Sequence, residues 1–161
     1  MRKLIISLTV TITLLLLICF TGCTTNIFEP SSNNPDLVTR SPITKNMNIV
    51  DDTFDVYAGN YYKFKFSISS DMLHTRVGGS FYASGGSGND IRMLILESTD
   101  YINWSNGHPV TPCYDSGKLT THSFMLSLPA GTYYLVLDNT FSFISSKQVK
   151  IDVGMEWESY N

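Results

Sequence analysis

The chain has 161 residues, 43% of them hydrophobic, with nine Tyr and nine Phe, a length that suits one globular domain plus appendages. Its formal charge is −3, and without Arg2 and Lys3 the balance becomes 9 basic against 14 acidic side chains, or −5. With no basic stripe anywhere, nucleic acid is excluded as a partner class.

The N-terminus reads as a targeting segment over 1–22. Arg2 and Lys3 precede an apolar run from Leu4 to Phe20 of about 17 residues, at the short edge of the ~17–25 that span a bilayer. The following Phe20-Thr21-Gly22-Cys23 resembles the lipobox of bacterial lipoproteins, with Phe20 standing where that pattern has an aliphatic residue. The resemblance implies cleavage before Cys23, acylation of its thiol and attachment to a membrane through that lipid. An uncleaved anchor and plain secretion are the alternatives, and each places the domain outside the cytoplasm. Cys19 is lost on cleavage and Cys23 carries lipid, which leaves Cys113 without a disulfide partner. The expectation for Cys113 is a half-buried, unreactive residue on a strand.

Residues 23–46 read as a tether. They are rich in Ser, Thr, Asn and Pro and lack apolar periodicity. About 20 such residues span roughly 25 Å, enough to hold a domain off a membrane.

Residues 47–157 read as the domain: short strands with turn punctuation and no helix. Strands are expected at Ile49–Val56, Tyr61–Ile68, Arg76–Ala83, Ile91–Glu97, Tyr114–Gly117, Leu119–Leu128, Thr132–Leu137 and Lys147–Met155. Gly78-Gly79 signals a bulge or a close backbone approach. Ile91–Glu97 and Thr132–Leu137 are apolar on both faces, as strands covered on both sides are. Pro129-Ala130-Gly131 reads as a tight reversal with a positive φ at Gly131. Ser98–Pro112 reads as a long polar loop. About seven or eight strands in this length predict an all-β antiparallel sandwich, with a meander or small barrel as the alternative.

The segments Val56-Tyr57-Ala58-Gly59-Asn60-Tyr61-Tyr62, Gly88-Asn89-Asp90-Ile91, Leu128–Val136, Asp138-Asn139-Thr140-Phe141-Ser142 and Ser146-Lys147 resemble GOLD (Golgi-dynamics) domains. The similarity covers Ile49 to Val153. It implies a jelly-roll-like sandwich and a non-catalytic interaction module, and not the trafficking role of the cargo receptors. Asp138, Asn139, Phe141, Ser142 and Lys147 are its structural signature, expected to satisfy a buried polar corner. The Pro-x-Gly-x-Tyr turn also suits bacterial pre-peptidase C-terminal domains, which aid secretion or surface attachment.

Catalytic patterns are sparse. His74, His108 and His122 have no metal-ligand spacing, and no Gly-x-Ser-x-Gly elbow occurs. Gly85-Gly86-Ser87-Gly88 lacks the Lys and the helix of a phosphate loop, so it reads as a β-turn. Asp51, Asp52 and Asp55, or Asn89-Asp90 as calcium ligands, read as solvated side chains. No metal or other cofactor is implied. The richest contact chemistry lies at Tyr101, Asn103, Trp104 and His108, on the loop expected to meet a protein, lipid or glycan ligand. Trp104 folded back onto the sandwich is the alternative. A hydrolase with a site built between loops is the rival class.

Overall fold

The computed structural model describes residues 40–86 and 88–160. The targeting segment, Cys23, most of the tether and Ser87 lie outside the described residues. In chain order the elements are β1 (Ile43–Val56), β2 (Tyr61–Ile68), β3 (Leu73–Ser84), β4 (Ile91–Glu97), α1 (Ser98–Ser105), β5 (Tyr114–Leu119), β6 (Thr121–Ser127), β7 (Gly131–Asp138) and β8 (Lys147–Ser159).

They form two antiparallel four-stranded sheets, β1-β8-β3-β6 and β2-β7-β4-β5. The pairs β1–β8, β2–β7, β3–β6 and β4–β5 nest like one long hairpin rolled into two layers, which is the jelly-roll arrangement. The sandwich expected from the strand pattern is therefore present, and the meander and closed barrel are not.

Alternation builds the core. Along β8 the side chains of Val149, Ile151, Val153 and Met155 turn inward while Gln148, Lys150 and Asp152 face out. Val77, Phe81 and Ala83 of β3 meet Ile91, Met93 and Ile95 of β4 and Tyr133, Leu135 and Leu137 of β7 in one buried cluster. At the foot of β7 the Tyr133 hydroxyl donates to the Pro129 carbonyl at 3.0 Å and closes the reversal. Gly131 does not take a positive φ there. It is small for want of room, since an added Cβ would stand 3.2 Å from the Tyr133 ring. The short edge strand β5 is held to β4 by Arg92, whose Nε and Nη2 donate to the Asp115 carboxylate at 2.9 and 2.6 Å. That fork holds the Asp115 carboxyl below its ordinary range.

Other expectations change or are narrowed. β1 begins at Ile43, so Ile43–Asn46 of the expected tether pair with Ser159–Glu156 of β8. These residues are exposed; an edge strand gains backbone hydrogen bonds without burying side chains and so shows no apolar period. β8 correspondingly runs to Ser159, beyond the expected domain end at 157. Of the two readings of Gly78-Gly79, the close approach is present and the bulge is not, because the register with β6 is regular through both. Finally, Ser98–Ser105 of the expected loop is helical.

Candidate functional site

The helix α1 lies on the outer face of the β2-β7-β4-β5 sheet. Its buried anchor is Tyr101, whose ring stacks on Tyr134 at 4.1 Å between centroids. Leu94, Leu96 and Val136, the second faces of β4 and β7, are buried beneath it in a cluster separate from the main core. This covering accounts for two strands that are apolar on both sides. The Tyr101 hydroxyl lies 3.1 Å from that of Tyr61 on β2, and the Lys63 ammonium sits 4.9 Å from the Tyr101 ring centroid. The hydroxyl contact raises the Tyr61 pKa, with burial adding to it.

The helix stops at Asn106-Gly107. The Asn106 and His108 amides both donate to the Asn103 carbonyl, and the Gly107 amide, at φ 79°, donates to the Trp104 carbonyl at 2.9 Å. This stop leaves a hollow of about 390 Å³ at the helix C-terminus, lined by Tyr61, Trp104, Ser105, Gly107, His108 and Thr140. Trp104 is half-buried and meets Tyr61 edge-on at 4.9 Å, so the two rings form one wall. His108 is exposed on the rim.

Of the four expected contact residues, the structure therefore brings Trp104 and His108 together. Tyr101 is a correction: its ring is spent on Tyr134 and anchors the helix. Asn103 is half-buried, and its carbonyl closes the helix end. Tyr61 and Thr140 were not foreseen. They arrive from β2 and from the β7–β8 loop, and no local pattern joins them to Trp104.

A polar corner stands beside the hollow. Asn139 is fully buried, and its Nδ2 donates to the carbonyls of Val56 at 3.0 Å, Tyr57 at 3.3 Å and Ser145 at 3.0 Å. The Asp138 carboxylate accepts from the Thr140 amide and hydroxyl at 2.8 and 2.6 Å. The Ser142 hydroxyl donates to the Ser145 carbonyl at 2.9 Å. Phe141 is half-buried with the Lys118 ammonium 4.0 Å from its ring centroid. Lys147, also buried, donates to Asp90 Oδ1 at 3.2 Å. A buried ammonium on that carboxylate opposes a cation there, so Asn89-Asp90 works as a corner and not as a calcium ligand pair. Asn89 supplies the turn with a left-handed φ of 48°.

No protein-family model and no curated protein matches the chain. The chemistry must therefore be read from side chains alone. Among the described residues no three His, Cys, Asp or Glu gather as a metal site. His74 lies 2.9 Å from Glu158, and His122 stands by the rings of Tyr114 and Phe81. Asp51, Asp52 and Asp55 are exposed on β1, and the Asp52 carboxylate accepts the Thr53 amide at 2.7 Å. Cys113 is exposed just before β5, and not half-buried on a strand. Desolvation by its neighbours and the Glu97 charge push its thiol pKa up, which keeps it a poor nucleophile.

A larger hollow of about 670 Å³ lies at the opposite end of the sandwich, between Leu128, Trp157 and the start of β3. Its rim polar groups are already paired, His74 with Glu158 and Arg76 with Glu156. The helix-end hollow offers two aromatic edges, an imidazole and hydroxyls at one place. That combination is chemically able to stack on a ligand and hydrogen-bond to it.

Proposed function

We propose that the chain is a lipid-anchored, extracytoplasmic module that binds a ligand or serves the envelope structurally, without catalysis. The anchor is the acylated Cys23, and the domain is GOLD-like. What supports the domain assignment is the rolled sandwich together with the buried Asp138-Asn139 and Lys147 corner. What supports binding is one observation: the Tyr61–Trp104 wall opens to solvent beside His108 and Thr140. A shallow hollow with aromatic edges suits a glycan or a short peptide segment. Its serine and threonine hydroxyls donate elsewhere, Ser105 to the Ile102 carbonyl and Thr140 to Asp138, and not to His108, so they form no nucleophile–base pair of the kind hydrolysis uses.

His108→Ala tests the reading cleanly, because this side chain is exposed and its removal leaves no buried group unpaired. Binding of the full chain to neutral oligosaccharides and to solubilised envelope glycans is measured by titration calorimetry or on a coated surface. The expected result is a loss of about threefold to tenfold in affinity with the melting temperature unchanged, the loss of one contact hydrogen bond. Equal affinity for the variant, or cleavage of the bound material over time, contradicts the reading.

A further inference from the structure

The loop between β7 and β8 carries the two most exposed large apolar side chains among the described residues, Phe143 at 96% and Ile144 at 91% of full exposure. The loop is held and not slack. Its stem is tied by Asn139 to Val56, Tyr57 and Ser145, and the Ser142 hydroxyl both donates to the Ser145 carbonyl and accepts the Ser145 amide. The turn so closed leaves Phe143 and Ile144 at its apex. Tyr57, 64% exposed, stands on the neighbouring β1–β2 turn, bound to the same Asn139 amide.

We propose that this apex inserts into the surface of a lipid bilayer, Phe143 and Ile144 reaching the acyl boundary and Tyr57 resting among the headgroups. Two adjacent side chains on a convex point offer far less than the roughly 800 Å² per partner that a stable protein interface uses. A fluid bilayer closes around such a point wherever it lands. Residues 140–146 contain no charged side chain, while Ser145 and Ser146 supply hydroxyls at headgroup depth. Of the carboxylates at this end, Asp138 is buried and Asp90 is bonded to Lys147, while Asp55 is exposed on β1 two residues before Tyr57. Tyrosine favours the membrane–water interface for its amphipathic ring.

This contact is separate from the expected N-terminal lipid. β1 enters the sandwich at Ile43, opposite Ser159, and reaches the apex end only at Val56, opposite Lys147. At ~3.3 Å per residue the two ends of β1 stand about 40 Å apart. The inference also does not rest on the helix-end hollow, since a ligand there leaves the apex free.

The test is an added fluorophore. The full chain carrying Ile144→Trp is mixed with phosphatidylcholine vesicles whose acyl chains are brominated near the headgroup, and the wild-type chain sets the baseline from Trp104 and Trp157. The substitution is at an exposed position, and circular dichroism checks that the sandwich is intact. The expected result is a blue-shifted added emission that loses most of its intensity to bromine, with the baseline emission unchanged. A red-shifted, unquenched emission overturns the proposal, whatever the N-terminal segment does. So does an emission that becomes protected only as protein concentration rises, which would place a second copy on the apex.

Discussion

Asn139→Ala is expected to lower the melting temperature of the domain by about 10 °C or more, a loss of about 3 kcal/mol. The side chain is wholly buried, and its amide is the donor for the Val56 and Ser145 carbonyls at 3.0 Å each, with Tyr57 at 3.3 Å. Alanine removes this donor from all three carbonyls, of which Ser145 keeps the Ser142 hydroxyl and Tyr57 the Asn60 amide, and each hydrogen bond lost costs about 1 kcal/mol. The backbone bonds of Asn139, its amide to Asn60 and its carbonyl to Gly59, survive the change, so the sandwich still forms. Asn139→Asp should be worse than alanine, because it removes the same donor and buries a charge among carbonyl oxygens. The Asn139 Oδ1 atom already has no hydrogen-bond partner, so no donor is in place to offset that charge. Thermal unfolding followed by far-ultraviolet circular dichroism measures all three. An alanine variant melting within about 2 °C of the parent, a loss well under 1 kcal/mol, would mean that the corner does not hold the two loops together.

Gly79→Ala should cost more still, more than about 4 kcal/mol, and the variant is expected to accumulate poorly as folded protein. An added Cβ would lie 2.7 Å from the Val153 Cα and overlap the Asp152 carbonyl oxygen. Both are backbone atoms of β8, which cannot turn aside as a side chain can. Nor can the strands part, because β8 is flanked by β1 and β3 by β6. Gly59→Ala is the control. Its added Cβ meets nothing within 4 Å, and only the left-handed φ of 73° opposes it, at about 1–2 kcal/mol. Solubility and unfolding midpoints of the pair decide it, and near-parental behaviour of Gly79→Ala would remove the close approach from the account.

How far the sequence carries the fold depends on the element. β2 and β8 show in their alternation, which reports inside and outside directly. Alternation is silent about which strand lies beside which, so the rolled order was not readable. β4 and β7 revealed that something covers their second faces, but the cover itself was missed. In Ser98–Ser105 only Tyr101 is buried, too little for a helical period. The Asn106-Gly107 stop, with Pro109 soon after, was the available signal for a helix end. The burial of Asp138, Asn139 and Lys147 followed from the resemblance, yet the partners did not. Val56 is 83 residues from Asn139 along the chain. Tyr61 reached the hollow in the same unforeseen way, through the pairing of β2 with β7. Phe143 and Ile144 look in sequence like ordinary core formers. Only the closed Ser142–Ser145 turn makes them an apex.

The central claim is that contacts gather at the Asn139 end of the sandwich, in the helix-end hollow and on the apex beside it. Carbene footprinting of the full chain tests it most directly, comparing protein in its own membranes with the same protein in detergent. Labelling should fall at Trp104, His108, Phe143 and Ile144, while Tyr82 and Met125, exposed on the outward face of the other sheet, stay as reactive as before. Protection centred on Tyr82 and Met125, or on Trp157 in the opposite hollow, would contradict the claim.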